Sequence, residues 1–356
     1  MNSSDNPSDP AVPGNAAAAV DWRYRPDSRG RQLAQAVRQA VRARQLWQPG
    51  QRVLLACSGG PDSLAALLLL DHLRRSLGHQ LAVALIDHGL QPDRAQAEAL
   101  VQEACAARGL ALRVERVAVA PGPQLEARAR QLRYQALQQL KVELDCTVIA
   151  TAHHADDQAE TWLMRAARGA GVPALAAIRA SRGDGVVRPL LCLDRGDLAH
   201  VLGGRPAWTD PSNSDPQHLR NRLRAQVLPP LELAMPGAAR AMARTAEHLQ
   251  NQVAAAEIWM GLALHHSGIA ADVARQSLQL PATLVPADPA ALGPLLHWVC
   301  AQLAAQAPGH RAVEQVAAAV RQSGPVTTQI AELVAHRDRG MWTFSRADVA
   351  RAQAAD

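Results

Sequence analysis

A short loop of small and polar residues between two apolar segments constrains this chain more than any other feature. The loop reads Ser58-Gly59-Gly60-Pro61-Asp62-Ser63 and lies between a strand-like run, 52–55, and a helix-like run, 64–73. A strand that turns into a helix presents unpaired backbone N–H groups at the positive end of the helix dipole, where they attract an anion. Gly59 and Gly60 let the backbone approach a phosphate closely, and the two serines add hydroxyl donors. The loop therefore predicts phosphate binding.

Asp62 is the unexpected residue of this loop, because a carboxylate repels phosphate. Its presence is explained if it holds a Mg²⁺ that also binds the phosphate. The pattern differs from the loop that ends in Gly-Lys-Ser/Thr and from the dinucleotide fingerprint. A plain turn with a capping Ser or Asp is the alternative. The preceding strand, the following helix and the paired serines favour phosphate binding.

Length and composition narrow the class of protein. The chain has 356 residues, enough for two domains, and no apolar run long enough to span a membrane. Residues 1–19 are rich in Ser, Asn, Pro, Gly and Ala and lack the pattern of a signal peptide, so we expect a disordered extension over 1–27. The five cysteines are scattered, with no Cys-x-x-Cys, which fits a cytoplasmic location.

The basic residues of the chain are almost all arginine. The net charge is +5, and only Lys141 among the 37 basic residues is a lysine. A mild positive excess is compatible with a nucleic-acid partner. The abundance of Arg and Ala also fits a GC-rich genome, so the choice of Arg at a given site carries little information.

The chain alternates strand and helix patterns over its first two thirds. This alternation predicts an α/β fold with a five-stranded parallel sheet, covered by helices on both faces and similar to a Rossmann fold. From residue 231 onward strand patterns nearly vanish, and a mainly helical C-terminal part is expected, with one short strand near 339–344. The predicted strands are 53–57, 81–86, 112–117, 146–150 and 186–188, and the predicted helices include 31–46, 238–265, 295–306 and 311–322. The predicted domains are a catalytic domain at 28–232 and a long helix plus helical domain at 233–356.

Two further motifs follow predicted strands. Asp87-His88-Gly89-Leu90 ends the second strand, and polar groups there could contact a nucleotide or simply begin a helix. Thr151 to Thr161 follows the fourth strand and contains two His and two Asp in close succession. The spacing matches no zinc pattern, whereas one carboxylate with phosphate oxygens suits Mg²⁺. Acidic residues at a helix N-terminus are the alternative explanation.

Two arginine-rich motifs complete the set. Glu126, Arg130 and Arg133 share a helix face, where they form either exposed salt bridges or a surface that binds phosphates. Trp208 to Asn213 has turn chemistry and precedes Arg220-Asn221-Arg222-Leu223-Arg224, whose three arginines cannot share one helix face. They contact a nucleic-acid backbone or form a solvated helix.

Together these motifs, in this order, resemble the tRNA(Ile)-lysidine synthetase family of the PP-loop ATP pyrophosphatase superfamily. The resemblance covers about residues 30 to 230, and its most specific parts are His153-His154-x-Asp156-Asp157-Gln158 and the pairing of Asp210-x-Ser212-Asn213 with Arg220-Asn221. The C-terminal part resembles the family's first C-terminal domain, and a second C-terminal domain is expected to be absent. Gln91 stands where many members carry Arg.

The resemblance implies a two-step ligation on the wobble cytidine of tRNA(Ile) with anticodon CAU. ATP adenylates the base at C2 and releases pyrophosphate, and the ε-amine of L-lysine then displaces AMP. The product, lysidine, pairs with A instead of G, so the codon read changes from AUG to AUA and the amino-acid identity from Met to Ile. A homodimer is compatible with the family, and no membrane is involved.

The resemblance also implies roles for the motif residues. Lysine has to lose a proton before it attacks, and His153, His154 and Asp157 are the candidates for that step, with the choice among them open. Mg²⁺ is expected on Asp62 with Asp156 or Asp157, of which Asp156 is the assigned partner. The assigned sets are Asp62, His153, Asp157 and Arg130 for catalysis; Ser58, Gly59, Gly60, Pro61, Asp62, Ser63, Asp87 and His88 for ATP; His154, Asp157 and Glu160 for lysine; and Arg133, Arg220, Arg222 and Arg224 for tRNA.

Three other functions use the same loop or surface. A tRNA thiolase adenylates a base and then needs paired cysteines, which this sequence lacks. Amidotransferase-type synthetases need an ammonia source, and no glutaminase-like Cys lies near the N-terminus. An RNA-binding protein with a degenerate nucleotide pocket would not need the intact loop and His-His-x-Asp-Asp-Gln motif. Consumption of ATP in the presence of tRNA separates this last function from the enzymes.

Overall fold

The computed structural model describes residues 20–89, 94–215, 217–266, 277–303, 305, 308–330 and 332–347. Contacts divide the chain into two compact units, one made of residues up to 157 and 180–240, the other of 158–179 and 241 onward. The sequence placed a single boundary near residue 232 and did not anticipate that 158–179 belongs with the later part. Gln91, which departs from the family pattern, lies outside the described residues.

The secondary-structure elements are numbered in chain order. The helices are α1 (Ser28–Ala43), α2 (Pro61–Leu77), α3 (Arg94–Arg108), α4 (Leu125–Glu143), α5 (Ala155–Ala166), α6 (Val172–Leu175), α7 (Arg195–Leu202), α8 (Leu219–Arg222), α9 (Leu228–Ala234), α10 (Ala238–His266), α11 (Pro289–Gln302) and α12 (His310–Val320). The strands are β1 (Arg52–Ala56), β2 (Gln80–Asp87), β3 (Ala111–Arg116), β4 (Val148–Ala150), β5 (Val186–Val187), β6 (Ser277–Pro281), β7 (Val326–Ile330), β8 (Leu333–Asp338) and β9 (Met341–Arg346). A π-helical turn, Leu223–Val227, joins α8 to α9.

The first unit is built on a parallel sheet of order β3-β2-β1-β4-β5, which confirms the predicted α/β fold and all five predicted strands. β1 is the switch point of the sheet: β2 and β3 are added on one side of it, and β4 and β5 on the other. Ligands of open parallel sheets bind at the carboxyl ends of the strands next to such a switch point. The loop after β1 and the motifs after β2 and β4 meet at this edge.

Burial explains why these elements form a rigid base for the loops. The middle of β1 and nearly all of β2 are buried, as expected of parallel strands covered on both faces. Helix α2 buries every side chain from Ser63 to Asp71 and contacts α1 and α7. This packing fixes the N-terminus of α2, which forms the second half of the loop 58–63.

The segment 20–27 is packed onto the first unit, which corrects the prediction of a disordered extension over 1–27. Trp22 is 1% exposed and Tyr24 is 9% exposed, with the Tyr24 ring edge-on to His72. The Arg205 guanidinium donates hydrogen bonds to the carbonyls of Asp21 and Arg23. Two aromatic side chains among charged ones were enough to anchor the segment. Residues 1–19 lie outside the described residues.

The second unit combines helices with an antiparallel sheet of order β6-β9-β8-β7. Its predicted helices are confirmed as α10, α11 and α12, and the predicted short strand is β9. The expectation that strands nearly vanish after residue 231 was wrong, because β6, β7 and β8 also form. Their exposed positions carry Thr, Gln, His and Asp, residue types that are also common in loops. Trp342 and Phe344 of β9 are fully buried in the core of this unit.

Candidate active site

The loop 58–63 turns sharply between β1 and α2, and Gly59 makes the turn possible. Its φ is +81°, and a Cβ there would lie 2.9 Å from Ala97 of α3. Any larger residue would therefore clash as well as strain the backbone. The Gly59 carbonyl accepts a hydrogen bond of 2.9 Å from the backbone N–H of Trp208, which fixes the loop from the other side.

The two serines of the loop have different environments. Ser63 is buried, and its hydroxyl accepts from the Ser58 N–H at 3.2 Å and donates to the Gly60 carbonyl at 2.9 Å. Ser58 is exposed, and its hydroxyl lies 3.3 Å from that of Ser63. Ser63 therefore shapes the loop from within, whereas Ser58 and the N-terminus of α2 face outward, where the helix dipole favours an anion.

Arg94 is a site residue that the sequence analysis missed. Only 7% of Arg94 is exposed, and its guanidinium donates to the carbonyls of Ile86 at 2.9 Å and of Ser58 at 3.3 Å. It also pairs with the Asp87 carboxylate at 3.6 Å and lies 4.8 Å from the centre of the Trp208 ring. One side chain thus joins the ends of β1 and β2. Its position within a polar run of the sequence gave no signal of burial.

Asp87 and His88, predicted to contact ATP, lie at the carboxyl end of β2. Asp87 accepts a hydrogen bond of 3.0 Å from the Gly89 N–H in addition to its ion pair with Arg94. Burial lowers the pKa of His88, and the positive charges of Arg94 and Arg133 lower it further. His88 is therefore a neutral imidazole at the edge of the loop.

His154, at the end of β4, is surrounded by carboxylates and is only 1% exposed. Its Nε2 lies 3.5 Å from Asp62 and 3.6 Å from Asp157, and its Nδ1 lies 3.2 Å from Asp156. Burial alone would lower the pKa of His154, but the three carboxylates outweigh it and raise the pKa to about 10. His154 is therefore an imidazolium that holds three carboxylates together.

His153 has the opposite character although it is the next residue. Burial lowers its pKa to about 4, and the charges of Arg188, Arg130 and Arg220 add to this effect against that of Asp157. Its Nδ1 lies 2.8 Å from the Thr151 hydroxyl. Of the two histidines that the sequence could not tell apart, His153 is the neutral one.

The predicted metal ligands lie at two different nitrogens of the His154 ring. Asp156 approaches Nδ1 and also accepts the Arg195 N–H at 2.9 Å, whereas Asp62 and Asp157 both approach Nε2. The structure therefore brings Asp62 together with Asp157 rather than with the assigned partner, Asp156. No three or more His, Cys, Asp or Glu side chains of the described residues form a metal cluster. Two carboxylates still fit Mg²⁺, which takes its remaining ligands from phosphates and water.

The arginines of α8 and the π-helical turn divide between the site and the surface. Arg220 and Arg224 each place Nη2 3.5 Å from the Asp157 carboxylate, while Arg222 is exposed. Arg220 and Arg224 are four residues apart and share a helix face, whereas Arg222 between them points away from that face, as the spacing predicted. Two of the three arginines predicted to bind tRNA therefore contact the carboxylate of Asp157, a residue predicted to be catalytic.

The arginines of α4 also differ in exposure. Arg130 is exposed, with its guanidinium carbon 5.1 Å from the centre of the Tyr134 ring. Arg133 is partly buried, and burial together with the charges of Arg130 and Arg94 lowers its pKa. Its guanidinium carbon lies 5.6 Å from the centre of the Tyr134 ring, and its charge also lowers the pKa of His88. Glu126 instead pairs with His218 at 3.2 Å.

Glu160, predicted to bind lysine, is fully buried on α5 and is assigned to the second unit.

Pro61, predicted to contact ATP, is the first residue of α2, where its missing N–H costs no hydrogen bond.

Comparisons with known proteins agree with this site. The PP-loop domain family matches residues 29–231, more than half of the chain. A tRNA(Ile)-lysidine synthase of Novosphingobium aromaticivorans is 38% identical over 64% of this chain and 73% of its own length. The chain belongs to the tRNA(Ile)-lysidine synthase family. Another member, from Pseudomonas aeruginosa, is 44% identical over 57% of this chain but only 47% of its own length.

Membership of the family agrees with the positions of the motifs, since every site residue of the first unit falls within the matched residues 29–231. The fold also resembles a solved structure, the U34-tRNA thiolase NcsA of Methanococcus maripaludis. The two align with a TM-score of 0.51 and 19% identity over 62% of this chain and 78% of the thiolase, a likeness of fold alone. Among the described helices, none has the length and apolar character needed to cross a bilayer.

Proposed function

We propose that this chain catalyses the ATP-dependent ligation of L-lysine to C2 of the wobble cytidine of tRNA(Ile) with anticodon CAU. The observation that carries the proposal is the cluster of Asp62, Asp156 and Asp157 around His154, next to a phosphate-binding loop and within the family match. Named tRNA(Ile)-lysidine synthases are 38% and 40% identical to it over 64% and 65% of this chain. The free state of all five cysteines supports a reaction in the cytoplasm.

In the first step the cytidine O2 attacks the α-phosphate of ATP, and the bond to pyrophosphate breaks. The α2 N-terminus, with Ser58, Gly59 and Gly60, binds the phosphates, while Ser63 and Arg94 hold the loop in shape. Asp62 and Asp157 would hold Mg²⁺, which when bound neutralises phosphate charge. Arg133, on the nucleotide side of α4, adds positive charge near the loop.

In the second step the lysine ε-amine attacks C2, and the C2–oxygen bond to AMP breaks. The amine is nucleophilic only after it loses a proton, and neutral His153 is the group we assign to accept it. Carboxylates attract the incoming ammonium, so Asp157 and Glu160 remain the lysine-binding candidates. The imidazolium of His154 would repel lysine, so we assign it to positioning the carboxylates instead.

The test is the incorporation of radiolabelled lysine into a tRNA(Ile) transcript with anticodon CAU, in the presence of ATP and Mg²⁺. We expect label in this tRNA and none in a methionine tRNA control. Label in neither tRNA, with ATP cleaved to AMP and pyrophosphate, would reject lysine as the nucleophile. No tRNA-dependent ATP cleavage would reject the enzyme itself.

A His153→Gln variant separates the two steps. Glutamine keeps a polar side chain of similar reach but accepts no proton at neutral pH. We expect pyrophosphate release on tRNA to stay within a few fold of the wild type, while lysine incorporation falls about 10²-fold or more. An equal fall in both rates would show that His153 does not serve the second step alone.

A further inference from the structure

The outer face of α4 carries a hollow lined mostly by residues with polar side chains, of which only Arg130 was assigned a role in the reaction. The hollow has a volume of about 720 Å³ and is lined by Arg130, Tyr134, Arg182, Ala127 and four glutamines. The glutamines, at positions 131, 135, 138 and 139, lie on one face of the helix. No carboxylate belongs to this lining, and Ala127 is its only aliphatic side chain.

The positive groups of this hollow are held in place. The guanidinium carbon of Arg182 lies 4.7 Å from the centre of the Tyr134 ring, and that of Arg130 lies 5.1 Å from it. Arg182 also pairs with Asp184, whose backbone carbonyl accepts a hydrogen bond of 2.8 Å from Gln138. Guanidinium groups fixed on an aromatic ring bind a phosphate or a base with little loss of side-chain freedom.

Charges beside the hollow also act on the candidate active site. Arg130 lines the hollow, and its charge also acts on His153. Arg188, which donates a hydrogen bond to Tyr134, acts on His153 in the same way. The guanidinium groups at this end of the hollow therefore lie within electrostatic reach of the site where the base of the RNA reacts.

We propose that the outer face of α4, from Gln131 to Gln139 with Arg182, binds the RNA backbone of the tRNA substrate; this rests on the proposed function. Guanidinium and amide groups are the donors and acceptors that contact phosphates, 2′-hydroxyls and base edges. A protein partner would need large apolar or aromatic anchors, and Tyr134, already covered by guanidinium groups, is the only large ring of the lining.

The test is direct binding of a fluorescent tRNA(Ile) transcript to the full chain, measured by anisotropy. Gln135→Glu/Gln139→Glu places two negative charges four residues apart on the exposed face of α4. We expect the Kd for tRNA to rise about tenfold, because each carboxylate repels phosphate. Gln135→Arg/Gln139→Arg should lower the Kd, and neither pair should change the KM for ATP.

The chain offers a matched control in α1. Gln35 and Gln39 are also exposed and four residues apart, so Gln35→Glu/Gln39→Glu introduces the same charges at the same spacing. We expect the control to leave the Kd within twofold of the wild type. An equal rise in both Glu pairs, or no rise in either, would overturn the proposal.

Two further outcomes are distinguishable. If the Glu pair on α4 changes the sedimentation of the protein but not its Kd for tRNA, this face joins two copies of the chain and the proposal fails. If the wild type binds tRNA and the α4 variants weaken that binding, but no lysine is incorporated, the RNA surface stands and the proposed function fails.

Discussion

Arg94 shows how one buried side chain can set the shape of a nucleotide loop. Its guanidinium N–H groups donate hydrogen bonds to the carbonyls of Ile86 and Ser58, at the ends of two neighbouring strands. The plane of the guanidinium lies over the Trp208 ring. Trp208 in turn holds Gly59 through a backbone hydrogen bond. A lysine could not make these contacts together, because its ammonium is a point charge without a planar fork.

We expect Arg94→Met to raise the KM for ATP about tenfold and to lower the free energy of unfolding by about 1–3 kcal/mol, because two buried carbonyls lose their donor. Arg94→Lys should recover only part of either loss. Steady-state kinetics and urea denaturation measure the two effects. Arg113→Met, at an exposed position of β3, is the control and should change neither. An unchanged KM for ATP in Arg94→Met would remove Arg94 from the site.

His79 predicts a pH dependence of stability that lies outside the site. It is 4% exposed and packs against Trp47, and burial, with the charge of Arg74, lowers its pKa from 6.5 to about 4. The unfolded chain therefore binds a proton below pH 6.5 that the folded chain does not bind until about pH 4. The stability is fully present above pH 6.5 and is lost as the pH falls to 4, a difference of roughly 3 kcal/mol.

We expect His79→Phe to flatten this decline, because the ring is kept and the proton site is removed. Urea denaturation of the variant and the wild type between pH 4 and 7 measures the difference in slope. His153, also buried and neutral, titrates in both proteins and cancels from the comparison. Parallel curves would mean that His79 takes up its proton in the folded state as easily as in the unfolded one.

At the scale of elements, the start of α7 positions part of the site. Asp194 accepts the Asp197 N–H at 2.8 Å, and Asp197 accepts the Asp194 N–H at 3.2 Å, which forms a reciprocal capping box. Arg240 donates to both carboxylates. Arg195, the residue after Asp194, donates its backbone N–H to the Asp156 carboxylate. The cap therefore supports the carboxylate that lies beside His154.

We expect Asp194→Ala to lower the free energy of unfolding by about 1–2 kcal/mol, as the loss of a helix cap does. Asp194→Ser keeps an acceptor for the Asp197 N–H and should restore most of this loss. Urea denaturation compares the three proteins. If the serine variant is no more stable than the alanine variant, the stabilisation comes from the ion pair with Arg240 and not from the cap.

Elements could be predicted from the sequence where one face or both faces of a segment are apolar. β1 and β2 are almost continuously apolar and bounded by polar turns, so the parallel sheet followed from pattern alone. β7 and β8 expose Thr, Gln, His and Asp on alternate positions, and the pattern there is too weak to separate a strand from a loop. Trp22 and Tyr24 anchor a segment whose polar composition had predicted disorder.

The site could be predicted only as a set of residues. The loop 58–63 and the His-His-x-Asp-Asp cluster follow strand ends, and the topology brings them together. The sequence could not give opposite charge states to His153 and His154, because those depend on which neighbour faces carboxylates. Nor could it find Arg94, whose burial depends on Trp208, more than a hundred residues away in the chain.

At the scale of the whole molecule, the charge of the chain bears on how it binds RNA. The net charge is +5, and all but one of the basic residues are arginines, which stay protonated at every working pH. The structure pairs Arg220 and Arg224 with Asp157 and leaves Arg222 exposed. These three neighbours should therefore affect tRNA binding differently, although the sequence gave them one role.

We expect the logarithm of the binding constant for tRNA to fall linearly with the logarithm of the salt concentration, because each neutralised phosphate releases counterions. Arg222→Gln should reduce the slope by about one and leave the rate at saturating tRNA unchanged, since it removes one phosphate contact. Arg220→Gln should chiefly lower that rate, because it leaves Asp157 without one of its arginines. Anisotropy titrations at several salt concentrations measure the slopes, with Arg113→Gln as the control. Equal slopes for Arg222→Gln and the wild type would place this arginine outside the RNA interface and leave tRNA binding to the other basic surfaces of the chain.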